Sequence, residues 1–283
     1  MTTGVPFPAA ASDRGVDRSA ALLRIVPLHL YSGRAHVLLE RSFRSYRRSW
    51  MVVLSGFFEP LFYLLAMGKG LGALIGPIST SAGPVEYAAY IAPALLATSA
   101  MNGAILDSTN NVFFKLKHGK LYDGMLATSL GPVDVALGEI IWSLVRGGLY
   151  SVGFLVVLLA LGLLTSWWAL LALPVALVIA FGFAAVGMAI TSYMKTFQHL
   201  EWVSIALLPM FLFSTTFYPL GVYPRPIQLV VECLPLYHGI ELIRGLSLGL
   251  VTPGLFLHLA YFGVMIAIGL AVTSWRLEKL LLR

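Results

Sequence analysis

Apolar runs of bilayer length recur along the chain, separated by short polar segments rich in Gly, Pro and charge. About 20 apolar residues in a helix cross a hydrocarbon core roughly 30 Å thick. Six segments meet this criterion: 50–67, 87–111, 133–162, 168–193, 202–218 and 254–275. Trp50, Trp167, Trp168, Trp202 and Trp275 stand at the predicted ends, where an aromatic belt belongs. The pattern predicts an all-α polytopic membrane protein.

Two stretches depart from the spanning pattern. Residues 1–31 read as a flexible N-terminal segment, and 32–49 as an amphipathic helix. In the latter, Leu39, Phe43, Tyr46 and Trp50 share one face, opposite Arg34, Arg41, Arg44 and Arg48. That segregation suits a helix lying in the headgroup plane. The plainer alternative is a solvated basic face preceding a membrane helix. Further on, residues 224–249 are apolar but interrupted by Glu232, Pro235, His238, Glu241 and Arg244. A lipid-exposed span does not carry such residues cheaply. Two short re-entrant helices that dip in and return on one side are expected. Glu241 and Arg244 are spaced to pair along one helix.

Composition agrees with lipid as the main solvent. The chain is 58% hydrophobic and 11% charged, against about 25% charged in soluble domains. The net charge of +6 does not point to nucleic acid, because the basic residues flank hydrophobic segments. There they set topology or meet anionic lipid headgroups. Eight arginines precede Trp50, and Lys115, Lys117, Lys120, Lys195, Arg276, Lys279 and Arg283 fall in alternate loops and the C-terminal tail. Only Lys69, Arg225 and Arg244 lie on the other side. This bias predicts both termini in the cytoplasm. The opening residues lack the apolar core of a cleavable signal peptide. Cys233 is the single cysteine, so it makes no internal disulfide and fits no metal spacing.

Several motifs carry candidate chemistry. Walker A requires G-x-x-x-x-G-K-[ST], and Gly119-Lys120-Leu121 fails it. No nucleotide cofactor is therefore expected in this chain. Glu59 lies about 14 Å of helix beyond Trp50, and Arg146 sits within the third span. They read either as a polar substrate contact or as a Glu59–Arg146 pair fixing helix register, and the pair is the favoured reading. Gly68, Gly72 and Gly76 are spaced for close helix packing, but beside Lys69 and Pro77 a flexible loop is the preferred reading. Phe211, Phe213, Phe217 and Tyr218 fit an apolar path or an interfacial belt. His118 and Asp123 match an H-x-x-x-x-D acyltransferase spacing, but no second catalytic motif accompanies them.

The segment 113–129 is the most informative. Phe114, Leu121 and Met125 share a helical face, and Gly131-Pro132 breaks the helix before the next span. Such a helix, joined rigidly to a span, can receive a push from a partner; an ordinary surface loop is the alternative. The run Tyr122-Asp123-Gly124-Met125-Leu126-Ala127-Thr128 resembles the cytoplasmic loop of ABC-2-type permeases, although Ser129 stands where that family usually has proline. Leu137-Gly138-Glu139, Ser55 to Pro60, Phe211 to Pro219 and Leu234 to Gly245 are similar to the nodulation-type branch, associated with lipo-oligosaccharide export.

The resemblance implies a permease paired with separate ABC ATPase subunits, which would bind Mg-ATP, and with a second permease copy or paralogue. It implies a bacterial inner-membrane location. The amphipathic helix 32–49 and Phe113, Phe114, Lys117, Lys120, Leu121, Tyr122 and Met125 would face the ATPase. Glu232, His238, Glu241 and Arg244 would belong to re-entrant helices on the outer side. A stand-alone secondary transporter is the main alternative, and an acyltransferase using His118 and Asp123 a remote one.

Overall fold

The structure, a computed structural model, describes residues 35–46, 58–80, 83–118, 121–126, 132–164 and 166–281. The expectations for 1–31, for Trp50 and for Lys120 fall outside these residues. The described elements are α1 (Ala35–Tyr46), α2 (Phe58–Ile75), β1 (Ile78–Thr80), β2 (Gly83–Val85), α3 (Tyr87–Lys117) and α4 (Leu121–Leu126). Then follow α5 (Pro132–Ala160), α6 (Trp167–Thr191), α7 (Gln198–Phe213), α8 (Arg225–Glu232), α9 (Pro235–Ser247) and α10 (Gly254–Leu281). This is an all-α membrane protein.

Five of the described helices are long and apolar enough to cross a bilayer: α2, α3, α5, α6 and α10. The sixth predicted span is the shorter α7, with 16 residues. That is about 24 Å, less than the hydrocarbon core. Its end is local: Ser214 leaves the helical region and Thr215 adopts φ 60°, so the ladder stops well before Tyr218. Segment 224–249 forms two short helices, α8 and α9.

Helix α3 is the pillar of the bundle. Nearly all of it is buried, packed against α5, α6 and α9. Its many alanines present a thin surface that lets neighbours approach closely. At its crossing with α5, a Cβ on Gly103 would lie 2.9 Å from the Gly147 Cα, and one on Gly147 would lie 3.0 Å from the Ala100 carbonyl oxygen. Backbone meets backbone there, and only glycine fits.

Two loop expectations are corrected. Residues after Met67 are not a flexible loop. Helix α2 continues to Ile75, because Gly68 seats against Ala88 and Gly72 against Tyr87. Gly76, at φ 74°, ends it. The hairpin β1–β2 then pairs Ile78 with Val85 before α3 begins. Helix α3 also runs past Asn111 to Lys117, about 46 Å of helix, longer than the hydrocarbon core. The first part of the expected 113–129 helix is thus the projecting end of a span. Helix α4 covers six of its later residues, Leu121–Leu126.

Candidate functional site

Charges gather along the seam between the antiparallel helices α3 and α5. Arg146 on α5 donates from Nη1 to the Asp107 Oδ1 on α3 at 2.6 Å. Ser143 Oγ donates to the other Asp107 oxygen at 3.2 Å, and Asn111 Nδ2 to the first at 3.3 Å. Further along, Lys115 Nζ reaches both Glu139 oxygens, at 2.9 and 2.7 Å. The step from Asp107 to Lys115 up α3 matches the step from Arg146 back to Glu139 along α5. Both are about 11–12 Å, as antiparallel packing demands. Around Asp107 the helix opens into a wider, π-helical turn (Asp107–Asn111), and a second such turn covers Phe114–His118. Such insertions re-aim side chains and recur at functional positions.

The favoured Glu59–Arg146 pair is therefore corrected. Arg146 is held by Asp107, while Glu59 is exposed on α2. Their placement within the first and third predicted spans made Glu59 and Arg146 look compatible. Adjacency of α3 to α5 decides instead for Asp107, whose position inside the second apolar segment was the missed signal. Lys115 is corrected as well: it is not a free flanking cation, since its side chain is 17% exposed and is held by a carboxylate that is itself 3% exposed.

Helix α4 rests against the same seam. Tyr122 is 1% exposed, and Met125 is buried too. The Tyr122 hydroxyl is enclosed near Glu139. Burial first, and that carboxylate second, push the phenol well above its usual range. It stays neutral. Phe113 is buried against Met194 and Leu200, with its ring 6.5 Å from that of Phe197, on the turn between α6 and α7. Phe114 and Leu121 remain exposed, as does Lys117. The expected stripe of Phe114, Leu121 and Met125 is thus divided, with Met125 turned inward. The π-helical turn interrupts the regular 100° register that the stripe assumed. The side chains of His118 and Asp123 fall outside the described residues.

Helix α1 seats at the same end. Leu38, rather than Leu39, is buried there, and its Cβ leaves no room for a side chain at Gly138. Phe43 stays 65% exposed, as an interfacial position allows. Arg276 caps the far end of α10 with its guanidinium over the Tyr193 ring at 4.6 Å, and Lys279 lies over Trp275. Basic residues of α1, α3 and α10 therefore share one end of the bundle.

The remaining sequence candidates lie at the opposite end, on α8 and α9. Glu232 makes a loose, exposed pair with Arg225 at 3.8 Å, worth little. Glu241 accepts from Arg244 Nη1 at 2.7 Å. His238 shares a hydrogen with His258 of α10, Nδ1 to Nδ1 at 2.7 Å, and stacks on Tyr261. Among the described residues, no group of three or more His, Cys, Asp or Glu is placed to hold a metal. On the flank of α7, an apolar cavity of about 470 Å³ is lined by Phe183, Trp202, Met210 and Met265, among others.

Five helices long and apolar enough to cross a bilayer, packed around the buried pillar α3, define a polytopic membrane protein. The chain belongs to the ABC-2 type transporter family, whose model matches residues 34–248. It is similar to Nodulation protein J of Rhizobium leguminosarum bv. trifolii, at 31% identity over 86% of this chain and 92% of the relative. Nodulation protein J of Rhizobium leguminosarum bv. viciae is 29% identical over 86% and 93%. That of Rhizobium meliloti (strain 1021) is 30% identical over 73% and 78%.

Proposed function

We propose that this chain is the permease of an ATP-driven exporter in a bacterial inner membrane. It would work with separate Mg-ATP-binding subunits and a second permease copy or paralogue. Its cargo is an amphipathic or lipid-linked molecule: a lipo-oligosaccharide, a glycolipid or a hydrophobic drug. The observation that carries the coupling part is the Lys115–Glu139 joint. It ties the projecting end of α3 to α5, while Phe114 and Leu121 beside it stay exposed.

Mechanistically, closure of the ATPases on ATP would press on the exposed residues of 113–126. The buried pairs would pass that displacement to α3 and α5 as rigid bodies, since a push on helices clamped in two places cannot be absorbed locally. ATP binding supplies the differential stabilisation that moves the pathway from inward-facing to outward-facing. The gathering of basic residues around α1, Lys117 and Lys279 supports a cytoplasmic assignment for that end. The apolar cavity beside α7 supports an acyl or other apolar portion in the cargo.

The test is reconstitution. Co-expressed with its cognate ATPase in lipid nanodiscs, the chain should hold the ATPase through purification, and ATP hydrolysis should rise with the complex. A chain that supports proton-driven flux without any ATPase would overturn this reading.

A further inference from the structure

Helix α7 stands off the bundle: of its 16 residues only Leu200 and Phe211 are buried. The cleft it leaves, about 470 Å³, is walled on the other side by Ile105 of α3, Phe183 and Ile190 of α6, and Met265 of α10. On α7 itself the lining extends from His199 to Met210, about 16 Å of helix. A hydrocarbon core of roughly 30 Å divides into two leaflets of about 15 Å each. The cleft is therefore as long as one acyl chain in one leaflet.

One end of the cleft lies at headgroup level. Tyr193 and Trp202 line it there and are both exposed, and such amphipathic rings settle at the membrane–water boundary. The Tyr193 ring carries the Arg276 guanidinium at 4.6 Å. This arginine differs from the others that the bundle holds. Arg146, Arg225 and Arg244 each meet a carboxylate. Arg276 makes no hydrogen bond or ion pair among the described residues. Of its nitrogens only Nε is enclosed, so the two Nη groups stay open to a ligand. Lys195 is exposed on the turn just after Tyr193, and Lys279 one turn beyond Arg276. Glu201, on the first turn of α7, is exposed, does not line the cleft and forms no ion pair among the described residues.

Wall and mouth select different parts of one ligand. A polar molecule would lose its hydration against the apolar wall. A wholly apolar one would leave the guanidinium unmatched. A helix of a second chain is about 10 Å across and needs far more volume over the same length, whereas a single flexible chain fits. At the mouth, a zwitterionic headgroup brings its own ammonium, which competes for the phosphate. An anionic phosphodiester gives its charge to Arg276 through paired N–H donors.

We propose that the cleft holds one acyl chain of an anionic phospholipid, with the phosphate on Arg276. This lipid is a resident of the fold rather than cargo, and it supplies the packing that α7 lacks. On the permease reading the basic end is cytoplasmic, so the lipid comes from the inner leaflet, and cargo using the same cleft would displace it. The binding itself is a property of this chain, so its failure would leave coupling to an ATPase untouched.

The full chain, purified without ATPase in a non-ionic detergent, is titrated with phosphatidylglycerol or phosphatidylcholine of identical chains and weighed by native mass spectrometry. One phosphatidylglycerol per chain should be retained, about fivefold more tightly than phosphatidylcholine, since one basic residue near an anionic headgroup contributes about 1 kcal/mol. Arg276→Gln should make the two lipids equal, and Arg276→Lys should keep most of the preference. Ala206→Trp, at an exposed position in the cleft wall, should fill the cleft and abolish retention of both. Thermal unfolding in the same detergent checks that each variant folds. Equal retention of the two lipids by the wild type, or retention unchanged in Ala206→Trp, would overturn the proposal. So would a second copy of the chain held in place of lipid and lost in Ala206→Trp, which would assign the cleft to a protein interface.

Discussion

Lys115 and Glu139 lie 2.7 Å apart across the α3–α5 seam, where the long pillar helix leaves the apolar part of the bundle. The pair is enclosed on the carboxylate side, so its geometry is worth more than that of a surface bridge. Removing one charge leaves the other buried without its partner. Lys115→Met should lower coupled transport and ATP hydrolysis sharply while the permease still inserts. The charge-reversed double variant, Lys115→Glu with Glu139→Lys, should recover part of both. Full activity of Lys115→Met in reconstituted vesicles would show that the joint carries no coupling.

Asp107 and Arg146 form the deeper pair. Breaking a buried pair typically costs about 3–5 kcal/mol, less here to the extent that Arg146 keeps some exposure. Asp107→Asn and Arg146→Met should each lower the unfolding temperature in detergent. The double variant should lose less than the sum of the two, because the orphaned charge disappears. Strictly additive losses would mean that each group acts through other neighbours.

Helix positions were largely legible in the sequence, because apolar length and flanking tryptophans report directly on the bilayer. Side-chain partnership was not. Placement within the first and third predicted spans made Glu59 and Arg146 look compatible, but position along the chain is a one-dimensional measure. Which helices touch depends on small residues such as Gly103 and Gly147, whose packing role is invisible until both helices are placed. The reach of α3 to Lys117 was hidden for a related reason. Asp107–Asn111 reads as a polar terminus, yet its polar groups are satisfied inside the bundle. The short pair α8 and α9 was readable because Pro235 and the charges break an apolar run at fixed points.

The Gly103–Gly147 crossing makes a prediction of its own. A side chain at position 147 would press on Ala180 Cβ at 2.9 Å and on the Ala100 carbonyl. Neither neighbour can rotate away. Overpacking of this kind costs about 1–3 kcal/mol, so Gly147→Val should reduce thermal stability. Gly70→Val, at a position with open space around it, should be close to neutral. Equal melting temperatures for the two variants would refute this view of the crossing.

Orientation is tested by labelling. Cys233 is exposed, so the experiment starts from Cys233→Ser. A membrane-impermeant maleimide added outside cells should reach Arg225→Cys. It should not reach His118→Cys or Lys279→Cys until the membrane is opened. Outside labelling of position 118 would invert or reject the arrangement drawn from the basic residues.

The exposed part of 113–126 leads to the sharpest prediction. With Tyr122 and Met125 turned inward, Phe114 and Leu121 are the apolar residues named for this segment that stay exposed. Two apolar side chains that dock in a groove of the ATPase would supply holding energy, in the manner of a helix laid into a hydrophobic groove. Lys117, exposed beside them, would steer association more than hold it. Leu121→Asp places a charge in that contact at an exposed side chain, so membrane levels should remain normal. It should abolish retention of the ATPase through purification, along with transport. Lys117→Gln should weaken association modestly, with most of its effect lost at high salt. Tyr122→Phe should differ from both. It keeps the buried ring beside Glu139 and removes only the hydroxyl, so ATPase retention should stay close to wild type. Normal binding and transport by Leu121→Asp would remove this segment from the coupling route and leave α1, seated on Gly138, as the next surface to test.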